Sequence, residues 1–161
     1  HSRLSAYIRF GHIAPATSVR ALRIDSSERA QRTLEEMLTR RELAANFTWY
    51  SPRYWTIDAL PEWARTSLEQ HRDDRPRAAY TRDQLASAKT DDRLWNAAQH
   101  ELACTGRVQP YVRMYWGKRL VEWFADPAEG LGTALWLNDR FALDGRAPNG
   151  FANIQIGRAH V

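Results

Sequence analysis

The sequence predicts an all-α domain. Three observations carry this: apolar residues recur at helical spacing through most of the chain, period-2 alternation is almost absent, and the breaks between periodic stretches fall on capping residues and prolines. The pattern is clearest in 112–124. At 3.6 residues per turn Val112, Trp116, Leu120 and Trp123 fall along one face, while Lys118, Arg119 and Glu122 lie mostly off it. Two indoles seven residues apart therefore share one side of one helix, about 10 Å apart along its axis. Taken alone this is a buried amphipathic helix, because large aromatics dominate cores. The chain holds 7 tryptophans in 161 residues, however, and other short motifs accompany them.

In chain order, Ser2-Arg3-Leu4-Ser5 precedes a short helix. Small hydroxyls beside free backbone amides at a helix start can hold phosphate; plain N-capping by Ser5 is the simpler alternative. Pro15 begins a helix through about Leu22, and Asp25-Ser26-Ser27 caps the next. That one is expected from about Glu28 to Asn46, with Leu34, Met37, Leu38, Leu43 and Phe47 turned inward. Glu36, Arg40 and Arg41 fall on its other side, ordinarily a solvated face. Residues 48–61 read as an aromatic, proline-bearing loop whose rings need something to pack against.

Pro61-Glu62-Trp63 starts a helix that fades into a polar stretch over 71–76, and Thr81 with Gln84 fits a capping box. Asp91 or Asp92 caps a longer helix from Arg93 to about Thr105, with Leu94, Ala97, Ala98 and Leu102 expected inside. Trp95 and Gln99 lie one turn apart on it, and Gly106 ends it. Pro110 opens the tryptophan helix. Asp126-Pro127 restarts another to about Phe141, and 144–150 reads as a compound turn.

The length suits one domain with a real core. The reading is a single helical domain over 1–155, cut at both ends: His1 opens in mid-motif without a methionine, and 156–161 spells a translated sequencing adapter. Lone Cys104 cannot form an internal disulfide, in keeping with a reducing compartment. No apolar run nears the roughly 18 residues that span a bilayer. A formal charge of +4 mildly favours a polyanionic partner. The 5 histidines and the cysteine show no metal-ligand spacing, and no nucleophile elbow, P-loop or dinucleotide fingerprint occurs. The residues alone leave a helical domain that binds a ligand or a nucleic acid.

A set of blocks goes further. Leu4-Ser5 with Tyr7 and Phe10-Gly11 is followed by Arg40-Arg41-Glu42-Leu43-Ala44 with Asn46-Phe47, then by Lys89-Thr90-Asp91 and Leu94-Trp95-Asn96-Ala97-Ala98-Gln99. Arg113-Met114-Tyr115-Trp116 with Trp123, and Leu137-Asn138-Asp139 with Leu143-Asp144-Gly145-Arg146, complete the series. In this order and spacing the chain resembles the C-terminal, flavin-binding helical domain of class II cyclobutane pyrimidine dimer photolyases.

The resemblance implies FAD bound among the helices, and light-driven repair in which the reduced, excited flavin lends an electron to a pyrimidine dimer. It assigns Ser2, Arg3, Leu4 and Ser5 to the FAD phosphates. Arg113 and Asp144, with Gly145 in the same turn, would sit beside the flavin ring, and Asn138 would approach its reactive nitrogen. Trp116, Trp95 and Trp123 would carry electrons from the surface to the flavin. Glu36 matches the acid that bonds the flipped dimer and Met114 a residue lining its slot, while Arg9, Arg40, Arg41 and Arg107 are candidate phosphate contacts. The implied partner is DNA holding pyrimidine dimers, without membrane or metal. The implied state is a monomer, cytoplasmic and nucleoid-associated if prokaryotic.

A cryptochrome-like photoreceptor that keeps flavin and indoles without repair is the alternative, and a cofactor-free helical nucleic-acid module is a third. Glu36, Met114 and Asn138 together favour repair, since a receptor has no need of a dimer slot. Departures from the pattern are Ala6 for a usual proline, Arg40 where some members carry a substrate-facing tryptophan, and Ala147 for an aspartate.

Overall fold

The computed structural model describes residues 4–70 and 80–156. Among them helices follow one another and no strand occurs: α1 Ser5–Arg9, α2 Pro15–Arg23, α3 Glu28–Glu35, a π-helical turn Glu36–Arg40, α4 Arg41–Tyr50, a 3-10 turn Ile57–Ala59, and α5 Glu62–Gln70. Then come α6 Arg82–Ala86, α7 Arg93–Thr105, α8 Pro110–Trp123, α9 Pro127–Phe141 and α10 Pro148–Ile156. The all-α expectation holds.

The helix starts are set by local chemistry. Side chains of Ser27, Asp92, Gln109 and Asp126 accept from backbone N–H groups in the first turns of α3, α7, α8 and α9. Thr81 and Gln84 cap α6 reciprocally. Pro15, Pro110 and Pro127 occupy first turns, where a missing N–H costs nothing. Gly106 ends α7 at φ 68°, a left-handed conformation that suits glycine.

Helix α8 runs through the middle, packed between α7 and α9. Their shared core holds Trp95, Leu102, Trp116, Leu120, Trp123, Leu131 and Leu137, with Leu85 of α6 and Ile154 of α10. Gly130 lets α9 approach closely, since a Cβ there would lie 2.9 Å from the Leu120 carbonyl oxygen. A smaller cluster sets Leu60, Ala64 and Leu68 against Val121 of α8. Helix α10 packs on both α4 and α9, and so ties the α3–α4 helix to the core.

Five expectations need correction. The N-cap of α1 is Leu4, without a side-chain bond, so Ser5 does not cap it. The helix begun at Glu28 continues to Tyr50 and contains a π turn. Its buried residues are Ala30, Met37 and Ala44, at seven-residue spacing, while Leu38 and Leu43 are exposed. A turn closed by i→i+5 bonds shifts the phase of the helix beyond it, and the small alanines allow close packing along a narrow stripe. On α7 the inward face is Trp95, Ala98, Gln99 and Leu102; Leu94 is 57% exposed and Ala97 is also outside. Burying the Trp95 indole removes more apolar surface than burying Leu94, and the two cannot share a face. Finally, the turn after Asp144 leads into α10 with Pro148 at its start, where the sequence pattern shows only turn formers.

The aromatic loop does find a support. Tyr54 meets Phe151 edge to face at 4.8 Å between centroids, and the Gln155 amide donates to the Tyr54 and Thr56 carbonyl oxygens.

Candidate active site

Arg113, on the first turns of α8, meets two residues from the end of α9 and the turn beyond it. Its guanidinium donates to both carboxylate oxygens of Asp144, at 3.0 and 3.3 Å from one nitrogen and 3.0 Å from the other, and also to the Asn138 amide oxygen. A guanidinium can only donate, so the Asn138 amide must turn its oxygen to Arg113 and keep its nitrogen as a donor. That nitrogen faces Gly150, where a Cβ would come within 3.3 Å. Asn138 is buried, and the Arg113 and Asp144 side chains are 20% and 28% exposed. The ion pair is therefore partly buried, and less screened than a surface pair.

The turn holding Asp144 is fixed from three sides. Leu143 N–H donates to the Gly106 carbonyl, Gly145 N–H to that of Ala142, and Arg146 N–H to the Asp139 carboxylate. Gly145 is buried so close to the end of α9 that a Cβ would lie 2.6 Å from the Asn138 carbonyl oxygen. Any side chain there would push the turn, and Asp144 with it, away from Arg113. The same Gly106 segment reaches α1, because the Arg107 guanidinium lies 5.6 Å over the Tyr7 ring.

One helical turn along α8 from Arg113 is Trp116, the first of a file of indoles. Trp116 and Trp95 stack with planes 5° apart and centroids 6.1 Å apart; Trp95 then meets Trp123 edge to face at 5.2 Å. Trp95 is fully buried, with Trp116 at 1% and Trp123 at 5% exposure. The Trp95 indole N–H donates to the Trp116 backbone oxygen and that of Trp116 to the Gln99 side chain, both at 3.0 Å. Trp123 touches the Tyr80 ring at 5.0 Å and lies 5.3 Å beneath the Arg119 guanidinium. The three tryptophans singled out in the sequence thus form one continuous row leading from the Arg113 cluster.

A charged network stands at the far end of that row. Asp92 caps α7 with one oxygen, and with the other accepts from the Tyr115 hydroxyl and from Arg119 Nε at 2.9 Å; Arg119 also donates to Glu122 at 2.6 Å. Burial pulls the Asp92 carboxyl upward, but Tyr115, the Trp95 backbone N–H and Arg119 together outweigh it and hold the group below its ordinary value. Burial and the neighbouring carboxylate push the Tyr115 phenol up.

The other residues singled out stand apart from this row. Ser2 and Arg3 lie outside the described residues; Leu4 caps α1 and Ser5 is exposed. Glu36 and Arg40 bracket the π turn, both exposed, and Arg41 pairs with Glu42. Met114, 43% exposed, follows Arg113 on α8. Arg9 closes α1 beside the Phe10 ring. Sequence reasoning missed Tyr80 as a neighbour of Trp123 and gave Gln99 no role. The signal for Gln99 was its i,i+4 spacing from Trp95, which puts both on one face. Among the described residues no helix is long and apolar enough to cross a membrane, and no group of three or more His, Cys, Asp or Glu could hold a metal.

No family model matches the chain. Individual curated proteins do. A deoxyribodipyrimidine photo-lyase of Methanothermobacter thermautotrophicus is 46% identical over 153 residues, covering 95% of this chain and 34% of that protein. The proteins of that name from Oryza sativa and Potorous tridactylus are 44% and 39% identical over 93% of the chain, which covers 30% and 29% of their lengths. Over nearly its whole length the chain is thus similar to one segment of these photo-lyases. It spans about a third of the length of the curated relatives it matches.

Proposed function

We propose that the chain is the flavin-binding helical part of a class II photolyase that repairs cyclobutane pyrimidine dimers in DNA. The observation that carries the reading is the Arg113–Asn138–Asp144 cluster lying one helical turn from the head of the indole row. The names of the relatives favour repair over the photoreceptor alternative.

The donor set fits a flavin. A cation neutralised by its own carboxylate, with a buried amide beside it, offers hydrogen bonds to a ring of carbonyls and nitrogens without fixing a full charge there. When bound and reduced, FAD supplies the light-driven single electron that opens the cyclobutane ring. Arg113 would hold the ring through its N–H donors. Asp144 holds that guanidinium in place, and Asn138, its oxygen committed to Arg113, would offer its amide nitrogen as a donor. Trp116, Trp95 and Trp123 deliver electrons when the cofactor starts oxidised. By the resemblance, Leu4 and Ser5 at the start of α1 would hold the cofactor phosphates, together with Ser2 and Arg3.

On the DNA side, chemistry on a stacked base requires it to leave the duplex. Exposed Glu36 and Met114 supply one acceptor and one apolar contact for the extruded dimer. Arg9, Arg40, Arg41 and Arg107 contact phosphates, which position the duplex without reading its sequence.

The test uses the protein at its full natural length, loaded with FAD and reduced chemically in the dark. Blue light on an oligonucleotide carrying one thymine dimer should restore the two thymines. Bound FAD with no dimer splitting would support the photoreceptor, and failure to take up FAD the cofactor-free nucleic-acid module.

A further inference from the structure

The two inner indoles share a feature that the electron path does not by itself require. Each N–H group is bound to an amide oxygen: Trp95 Nε1 to the Trp116 backbone, and Trp116 Nε1 to the Gln99 side chain. Gln99 is fully buried, and its own amide nitrogen points to the Ala86 carbonyl at 3.5 Å. An indole N–H only donates and a carbonyl only accepts, so both neighbours force the same orientation of the Gln99 amide.

This bears on what happens to a proton. Loss of one electron turns an indole into a radical cation whose N–H is far more acidic than that of the neutral ring. Beside a carboxylate, an imidazole or water the proton would leave, and the hole would be trapped on that ring as a neutral radical. An amide oxygen accepts the hydrogen bond but is far too weak a base to take the proton. Neither Trp95 nor Trp116 is exposed enough to meet water instead.

We propose that Gln99 is a positioning residue of the electron path: its buried amide oxygen holds the Trp116 N–H so that Trp116 is oxidised and refilled with its proton in place. The inference rests on reading the indole row as that path. In the step concerned, one electron passes from Trp95 to the Trp116 radical cation, no covalent bond forms or breaks, and both N–H protons stay where they are. The light-excited oxidised flavin of the proposed function is the oxidant that first takes an electron from Trp116. The partial negative charge on the Gln99 oxygen also favours the cation, which eases that first step.

The experiment compares Gln99→Met and Gln99→Glu with the parent, each at full natural length and with FAD retention and melting temperature checked. Time-resolved absorption after a blue flash reads the rate of indole oxidation and distinguishes cation from neutral radical. Gln99→Met keeps the volume and removes the acceptor; it should slow the first step about tenfold or more, as when a charged group gives up a hydrogen-bond partner. Gln99→Glu should be faster than Gln99→Met in either protonation state. As a neutral acid it keeps a carbonyl toward Trp116 and can donate to Ala86. Ionised, it adds a base, and a neutral Trp116 radical with a D2O isotope effect should then appear. In flavin-free protein, the Trp116 indole N–H resonance, assigned by its loss in Trp116→Phe, should exchange slowly in the parent and shift in Gln99→Met.

Unchanged kinetics in Gln99→Met, or equal slowing in both variants as a packing defect would give, overturns the proposal. Trp116→Phe separates the two levels. If it still photoreduces flavin, the electron-path reading itself fails; if it does not while Gln99→Met is unaffected, only the role of Gln99 fails.

Discussion

Trp95 bonds through its indole N–H to the backbone oxygen of Trp116 and stacks on the ring of that same residue, with planes 5° apart. Two contacts between one pair fix both spacing and tilt, so neither ring can turn without breaking a bond inside the core. The row packs the core and, in the proposed function, also carries electrons; the two roles separate by substitution.

Trp95→Phe should leave the fold intact at a cost of about 1–2 kcal/mol, the scale of a partial core truncation that also loses a buried hydrogen bond. In the full-length protein an oxidised Trp116 should still form under light, but with its donor gone it should recombine rather than pass the hole outward. Urea denaturation measures the first effect and time-resolved absorption the second. Stable charge separation in this variant would mean that the electron leaves by another route.

At the Arg113 cluster, Asp144→Asn keeps the shape but removes the charge that holds the guanidinium, and Arg113→Lys loses the two-pronged bond. Both should reduce FAD retained after gel filtration, Arg113→Lys the more, because a lysine cannot serve Asp144 and Asn138 together in the same plane. Full FAD content in both variants would remove the cluster from the cofactor site.

Asp92 gives a pH dependence. Its folded pKa is depressed, so the stability it contributes is complete above the ordinary carboxyl value of 3.8 and is lost as pH falls below that through the folded value. The parent's advantage over Asp92→Asn in urea midpoint should therefore be largest near neutrality, and should shrink as pH falls below 3.8. A difference that stays constant as the pH is lowered would show that the Tyr115 and Arg119 bonds do not act through the carboxylate charge.

Glu36→Ala addresses the lesion rather than the backbone. Preference for ultraviolet-damaged over undamaged DNA should fall, while the slope of affinity against salt stays the same, because no phosphate contact is lost. Binding titrations at several salt concentrations read both. A changed slope with unchanged preference would make Glu36 a backbone neighbour instead.

How far the sequence reached depends on the range of each signal. Caps and prolines act within one turn, and Thr81 with Gln84, Asp126-Pro127 and Gly106 were all legible. Periodicity put Trp116 and Trp123 on one face of α8, and both are buried there. It misjudged α7, where Leu94 and Trp95 are adjacent and only the packed neighbour decides which goes in. It also missed the phase change at Glu36–Arg40, since nothing local marks a π turn. Pro148 was hidden inside a run of turn formers although it starts α10. The site was legible in a different way. Arg113 and Asp144 are 31 positions apart, and Trp95 and Trp116 are 21 apart on separate helices. No spacing rule links such pairs; the resemblance named these residues, and the fold brings them together. Tyr80 and Gln99 went unassigned because the indole each touches belongs to a different element of the chain.

In the proposed function the indole row feeds a flavin held beside Arg113. The most direct test tracks flavin absorbance under blue light with an external reductant, in the protein at full natural length and in Trp116→Phe, both confirmed to retain FAD. Phenylalanine is far harder to oxidise than indole. The variant should therefore lose light-driven reduction of oxidised FAD yet still split pyrimidine dimers once its flavin has been reduced chemically. Photoreduction at the parent's rate in Trp116→Phe would contradict the account and leave Trp116 as a core residue only.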